Sequence, residues 1–404
     1  MTDVYYDPYD YAIDADPYPV WKRLRDEAPV YCNERHGFYA LSRYDDVLQG
    51  LLDHETFRSG HGIVLEMIAD EAYENLPMMI MMDPPQHTRL RKLVSRAFTP
   101  RRIADLEPRI VAVCDELFAS VEGADEFDYS ARFAGLLPPT IILSLVGYPE
   151  GHAERFRELA DQSLHIEEGS TMQGAELERS LVDEHGAIVN DAFAILPDLM
   201  AERRADPQDD LITALVFAEV EEDGETRTLT LEEIVAFVQL LSSAGTETVA
   251  RLLGFAAVTL AQHPDQRELL VDDPGLVPNA IEELLRYEAP SPIQGRWVAR
   301  DVEFHGTVIP RGSRLALLNG SADRDERHFP DPDSFDVRRH IDRHLAFGYG
   351  THFCIGAALA RLEGRVALVE TLRRFPVWEV DESRLERVHT ATVRGYSSVP
   401  MRVR

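Results

Sequence analysis

Apolar residues recur at helical spacing over most of the chain and alternate with period two only in a few short runs. Val20, Trp21 and Leu24 share one helical face within 17–27. The β-rich runs 30–32 and 37–41 bracket Asn33-Glu34-Arg35-His36 and predict a hairpin. A helix is expected at 45–52, and another after the double proline Pro84-Pro85, because proline suits a first helical turn. Between 102 and 216, glycines and prolines punctuate helical patterns at 103–121, 137–146, 151–164, 174–203 and 210–216. The polar stretch 165–173 reads as a connection. Strand-like alternation returns at 296–299 and 302–310, and again near 392–398. The pattern is that of a mainly α protein with a small β-rich region.

One helix stands out. Thr230 and Glu233 form a capping box, and Ile234, Phe237, Val238, Leu241, Val249, Leu252, Leu253 and Val258 continue the apolar pattern until His263-Pro264. About 32 residues would span roughly 48 Å and cross the middle of the molecule. Its centre, Ser242-Ser243-Ala244-Gly245-Thr246-Glu247-Thr248, breaks the pattern, and a helical glycine costs about 1 kcal/mol relative to alanine. Apolar neighbours occupy nearly every face, so Glu247 and Thr248 are expected to face a cavity rather than solvent.

The second unusual stretch surrounds Cys354. Gly348 and Gly350 flank Tyr349 in a segment too glycine-rich for a strand or helix, and a helical pattern resumes after Gly356. A cysteine just ahead of a helix N-terminus is favoured as thiolate, the form that ligates metal. Only Cys32 and Cys114 accompany it, too few for a disulfide framework or a zinc cluster, which fits a reducing, cytoplasmic setting. His87 and Arg91 lie four apart on one helical face and could hold a carboxylate together, or line a surface. Glu283 and Arg286 form an i, i+3 pair. Five methionines between 59 and 82 suit ordinary filling of an irregular core.

Composition narrows the partners. A net charge of −30 disfavours nucleic acid and anionic membranes. The most apolar stretch, 135–149, falls short of the roughly 20 residues that cross a bilayer. No signal-peptide pattern, linker, repeat or low-complexity run divides the chain, so one domain over 1–404 and a monomer are expected.

Phe347-Gly348-x-Gly350-x-His352-x-Cys354-x-Gly356 resembles the haem-binding loop of the cytochrome P450 family. Asp83-Pro84-Pro85-x-His87-x-x-Leu90-Arg91, followed by Ala97-Phe98-Thr99-Pro100, resembles the family's propionate-binding helix. Ala244-Gly245-x-Glu247-Thr248 resembles its oxygen-binding kink, and Glu283, Arg286 and Arg339 its buried Glu-Arg-Arg network. The resemblance implies the triangular, mainly helical P450 fold and haem b (iron protoporphyrin IX). It makes Cys354 the thiolate ligand, with Phe347, Gly348 and Gly356 shaping the loop beneath the porphyrin. His87, Arg91, Arg296 and His352 would meet the propionates. Ala244 and Gly245 would border the oxygen site, where Glu247 and Thr248 deliver protons. Only the resemblance implies a substrate-contacting loop in the methionine-rich stretch 59–82. It further implies a monooxygenase that hydroxylates or epoxidises a hydrophobic small molecule, such as a terpenoid, steroid, fatty acid or polyketide, using dioxygen. With no flavin or iron–sulfur extension, electrons would come from a separate ferredoxin and its reductase. Arg338, Arg339, Arg343, Arg361 and Arg365 could form a basic face for that donor. A peroxide-dependent enzyme on the same scaffold, or a haem- or ligand-binding protein without turnover, are the alternatives.

Overall fold

Thr230 starts a helix that runs without interruption through Leu231–Gln262, 32 residues in all. Its hydroxyl accepts from the Glu233 amide while the Glu233 carboxylate accepts from the Thr230 amide, so two otherwise orphaned donors are satisfied. At the far end, the His263 amide closes on Thr259 and Pro264 begins a new helix, Pro264–Asp272. The computed structural model describes residues 4–73, 78–95, 98–163, 193–222, 225–390 and 392–404.

The central helix is buried on every face from Val249 to Leu260 because other helices enclose it. Leu137–Val146, Ala153–Ser163 and Ala357–Arg374 pack against it. Gly245 does not break it. A Cβ at that position would lie 3.3 Å from Ile142 Cγ1, so the glycine permits close packing of Leu137–Val146.

The helix expected over 103–121 is two helices, Pro100–Ala104 and Glu107–Ala119. Pro108 accounts for the break, since proline fits a first turn but would remove a bond from a helix interior. Of 174–203, Leu196–Ala205 covers the described end, and the connection expected at 165–173 lies outside the described residues.

The predicted hairpin forms, Val30–Asn33 pairing antiparallel with Phe38–Leu41. It extends into a five-stranded sheet through Arg314–Leu317, Gln294–Val298 and Phe57–Arg58. Arg296 sits on the fourth of these strands, with its side chain buried. Among the described residues no helix is long and apolar enough to cross a membrane.

Asp323 ties this region to the cysteine loop: its Oδ1 accepts from the Leu345 amide at 2.6 Å, while Oδ2 is buried without a partner among the described residues. Burial raises its carboxyl to about 7, against the pull of His344. A raised carboxylate pKa means that stability falls as pH rises from the unfolded value near 4 to about 7, because the folded state holds the proton longer. Asp323→Asn keeps the acceptor and removes the charge. It is therefore expected to raise stability at pH 8 by about 4 kcal/mol, with little change at pH 4. Thermal melts at the two pH values check this, and an equal shift at both would discount the ionisation.

Candidate active site

The segment around Cys354 is held by its backbone. The Cys354 amide donates to the Phe347 carbonyl at 2.9 Å, and Gly348 and Gly350 take φ of 65° and 69°. Gly350 has a second reason to lack a side chain, since a Cβ there would lie 2.8 Å from the Leu51 carbonyl. Gly356 then caps the helix Ala357–Arg374. Arg361 stacks over the Phe347 ring at 4.6 Å and pairs with Glu282 at 2.7 Å, fixing the loop from below.

Cys354 presents exposed surface, yet its sulfur is deep enough that burial is the largest influence on it. Burial pushes the thiol up from its ordinary value. The Gly356 and Ala357 amides and the Arg91 and Arg361 guanidinium groups pull the other way. The helix N-terminus alone therefore does not give the lowered thiol expected from sequence. A sulfur so placed gains its negative charge by binding a cation, which suits a metal ligand.

The four residues expected to meet propionates converge. His87 and His352 lie with ring centroids 4.3 Å apart. Both nitrogens of His87, and Nε2 of His352, are buried without a hydrogen-bond partner among the described residues. Burial, then Arg91, lowers His87 to about 4; burial, then Arg296 and His87, lowers His352 to about 2. Arg296 is fully buried and drawn down to about 10 by burial, with only Asp83 opposing. Arg91 Nη2 donates to the Phe353 carbonyl beside Cys354, and its pKa is also lowered by burial. Buried donors that lack an anion are costly, and two carboxylates placed among them would satisfy this set. These residues, with the adjacent sulfur, fit a haem bearing propionates.

Glu283 and Arg286 are fully buried, bonded at 2.7 and 2.8 Å, and Arg339 Nε reaches Glu283 Oε1 at 3.1 Å. The remaining Arg339 donors bind carbonyls of Pro330, Asp331 and Ser334, so this trio pins the chain entering the cysteine loop. Three of the five arginines expected to form a basic face are ion-paired. Arg339 pairs with Glu283, Arg361 with Glu282 and Arg365 with Glu107, while Arg338 and Arg343 stay exposed.

On the central helix, Ala244 and Thr248 share a face, and the Thr248 hydroxyl donates to the Ala244 carbonyl at 2.9 Å. Glu247 turns elsewhere. It is buried and lies 3.5 Å from Arg251, lining a cavity of about 10 Å³. Arg251 was not singled out from sequence, although its i, i+4 spacing from Glu247 was the available signal. Met79 and Met81 are buried core residues in a short turn against the central helix, while Met78 and Met82 are partly exposed.

The family model described as cytochrome P450 matches residues 35–273 and 275–395. The putative cytochrome P450 123 of Mycobacterium tuberculosis is 42% identical over 400 residues, covering 98% of this chain and 96% of that protein. The vitamin D(3) 25-hydroxylase of Pseudonocardia autotrophica is 36% identical over 394 residues, covering 96% and 93%. A solved mutant of P450 EryK in complex with erythromycin B superposes with a TM-score of 0.87 at 37% identity, covering 97% of each chain. With the thiol, the unpartnered donors and the Glu-Arg-Arg trio in place, the chain belongs to the cytochrome P450 family of haem-thiolate oxidoreductases, which carry iron protoporphyrin IX.

Proposed function

We propose that this protein is a monooxygenase that inserts one oxygen atom of dioxygen into a hydrophobic small molecule, with electrons from a separate ferredoxin and its reductase. The observation that carries this reading is the acid–alcohol pair Glu247 and Thr248 on the central helix of a P450 fold, because proton delivery is what dioxygen cleavage demands of the protein. The bound haem supplies the redox-active iron at which dioxygen is reduced.

The residues divide the remaining work. Cys354 would hold the iron through sulfur, with its backbone anchored on Phe347. His87, Arg91, Arg296 and His352 would fix the propionates and thereby orient the ring. Ala244 is small and exposed on the face shared with Thr248, leaving room for substrate. Thr248 donates to Ala244 and keeps its oxygen lone pairs available to accept a proton-bearing group. Glu247, on the neighbouring face of the helix, would resupply protons from the cavity it lines. The relatives named for vitamin D(3) and solved with erythromycin B support a steroid- or polyketide-sized substrate, with terpenoids and fatty acids as the other classes to sample.

The test begins with the ferric spectrum titrated with one member of each class. A saturable shift from low to high spin identifies the ligand for reconstitution with ferredoxin, reductase and NAD(P)H. Thr248→Ala is then expected to lower product formed per NAD(P)H about tenfold, with the lost electrons released as peroxide. Unchanged turnover and coupling would remove Thr248 from dioxygen activation, and turnover with peroxide but not with the reduced ferredoxin chain would favour a peroxide-dependent enzyme. Binding without turnover would favour a ligand-binding protein.

A further inference from the structure

Three helical threonines in this protein, Thr140, Thr248 and Thr371, donate to the carbonyl four residues earlier at 2.7, 2.9 and 2.8 Å. Thr246 does not. Its hydroxyl is buried, the residue being 1% exposed, and has no hydrogen-bond partner among the described residues. It lines the same cavity of about 10 Å³ as Glu247, together with Ser130, Arg157, Arg251 and Ser397. A polar cavity of that size admits one water, and an unsatisfied hydroxyl within it is costly unless a water is there.

The surroundings are shaped to keep this space. Ser130–Ala134 forms a π-helical turn, closed by the Gly135 amide on the Ser130 carbonyl at 2.8 Å, and such turns are rare and often functional. Arg251 crosses behind Glu247, donating from Nη1 to the Tyr396 carbonyl at 2.9 Å while Nη2 faces Glu247 Oε1 at 3.5 Å. Gly395, at φ of 155°, makes room for that arginine, since a Cβ there would fall 2.6 Å from Arg251 Cβ. Arg157 is half-buried and lies at the same cavity, on the helix Ala153–Ser163.

We propose that this chamber holds one ordered water bound by Thr246 and the Glu247 carboxylate, and that Arg251 is the positioning residue that turns the carboxylate toward it. The chamber water passes a proton to Glu247 and is itself re-protonated from solvent past Arg157, so proton supply enters from a face of the helix other than the one that carries Thr248. The inference rests on the monooxygenase reading, and it adds Thr246 and Arg251 as residues that set the rate of proton supply.

The first test is a crystal structure of the haem-loaded enzyme at a resolution that orders water, for the wild type and for Thr246→Val, which conserves shape. Density within about 3 Å of Thr246 Oγ1 in the wild type, lost in the variant, supports the chamber, and a dry chamber overturns it. The second test is kinetic. Thr246→Val and Arg251→Gln are expected to lower coupling about tenfold and enlarge the solvent isotope effect on dioxygen-driven turnover. Arg251→Lys should recover part of the loss, and peroxide-driven turnover should not change. Coupling and isotope effect both unchanged in Thr246→Val would overturn the proposal. Absence of any turnover in the wild type would count against the monooxygenase reading, whereas the water density would still decide the chamber.

Discussion

Cys354→His is expected to abolish the thiolate-type spectrum of the reduced carbonyl complex and to bring dioxygen-dependent turnover below detection, while the protein still takes up haem. Retention is expected because three of the four propionate-facing donors lie on segments other than the cysteine loop, and the substitution leaves all four side chains in place. Arg296 comes from the sheet, and His87 and Arg91 from Gln86–Val94. Loss of function is expected because a neutral imidazole does not donate electrons as a thiolate does, and that donation favours O–O cleavage. The loop itself should survive, since the Cys354 amide bond to Phe347 is a backbone bond. Absorption spectra of the reduced carbonyl complex and haem content by extraction check both halves. A thiolate spectrum that persists would move the ligand elsewhere. Neither other cysteine is placed for it: Cys114 is buried in the core with its thiol pushed up to about 12, and Cys32 lies on the hairpin strand Val30–Asn33.

What was legible in the sequence was what local chemistry decides. The central helix declared both ends, because a capping box and a His-Pro stop act within a few residues. The hairpin at 30–41 and the cysteine turn were visible for the same reason, the latter because Gly348 and Gly350 need left-handed φ. Arg339 as partner of Glu283 came from resemblance and is met by the geometry at 3.1 Å.

The misses share a cause in tertiary competition. What the sequence did not show at Gly245 is its packing partner, since the close approach to Ile142 joins helices about a hundred residues apart in sequence. The helix dipole at Cys354 is real, but burial outweighs it, and burial depends on the whole fold. The carboxylates that pair with the clustered arginines come from distant segments, Glu282 for Arg361 and Glu107 for Arg365, and so were not legible locally. Thr246 was invisible as a special residue because its anomaly is a bond it does not make.

Glu283→Ala is expected to yield little or no folded, haem-loaded protein. The Glu283 carboxylate accepts four bonds, from Arg286 Nε at 2.7 Å, Arg286 Nη2 at 2.8 Å, the Asp336 amide at 3.0 Å and Arg339 Nε at 3.1 Å. Arg286 and Glu283 are 0% exposed, so deletion leaves a guanidinium charge in the core without its hydrogen-bonded carboxylate. Breaking a buried pair this way costs about 3–5 kcal/mol, against a total stability of about 5–15 kcal/mol. The damage reaches the active site through the chain, because Arg286 also binds the carbonyls of Asp323 and Pro332, and Arg339 those of Pro330 and Asp331. Those carbonyls hold the segment that delivers Leu345 and the cysteine loop. Glu283→Gln retains the shape and two acceptor lone pairs, so it should lose less stability and recover some haem content. Urea unfolding and haem-to-protein ratios for the two variants measure this. Wild-type stability and loading in Glu283→Ala would mean that the trio is dispensable and that the loop is held by the Phe347 and Asp323 contacts alone.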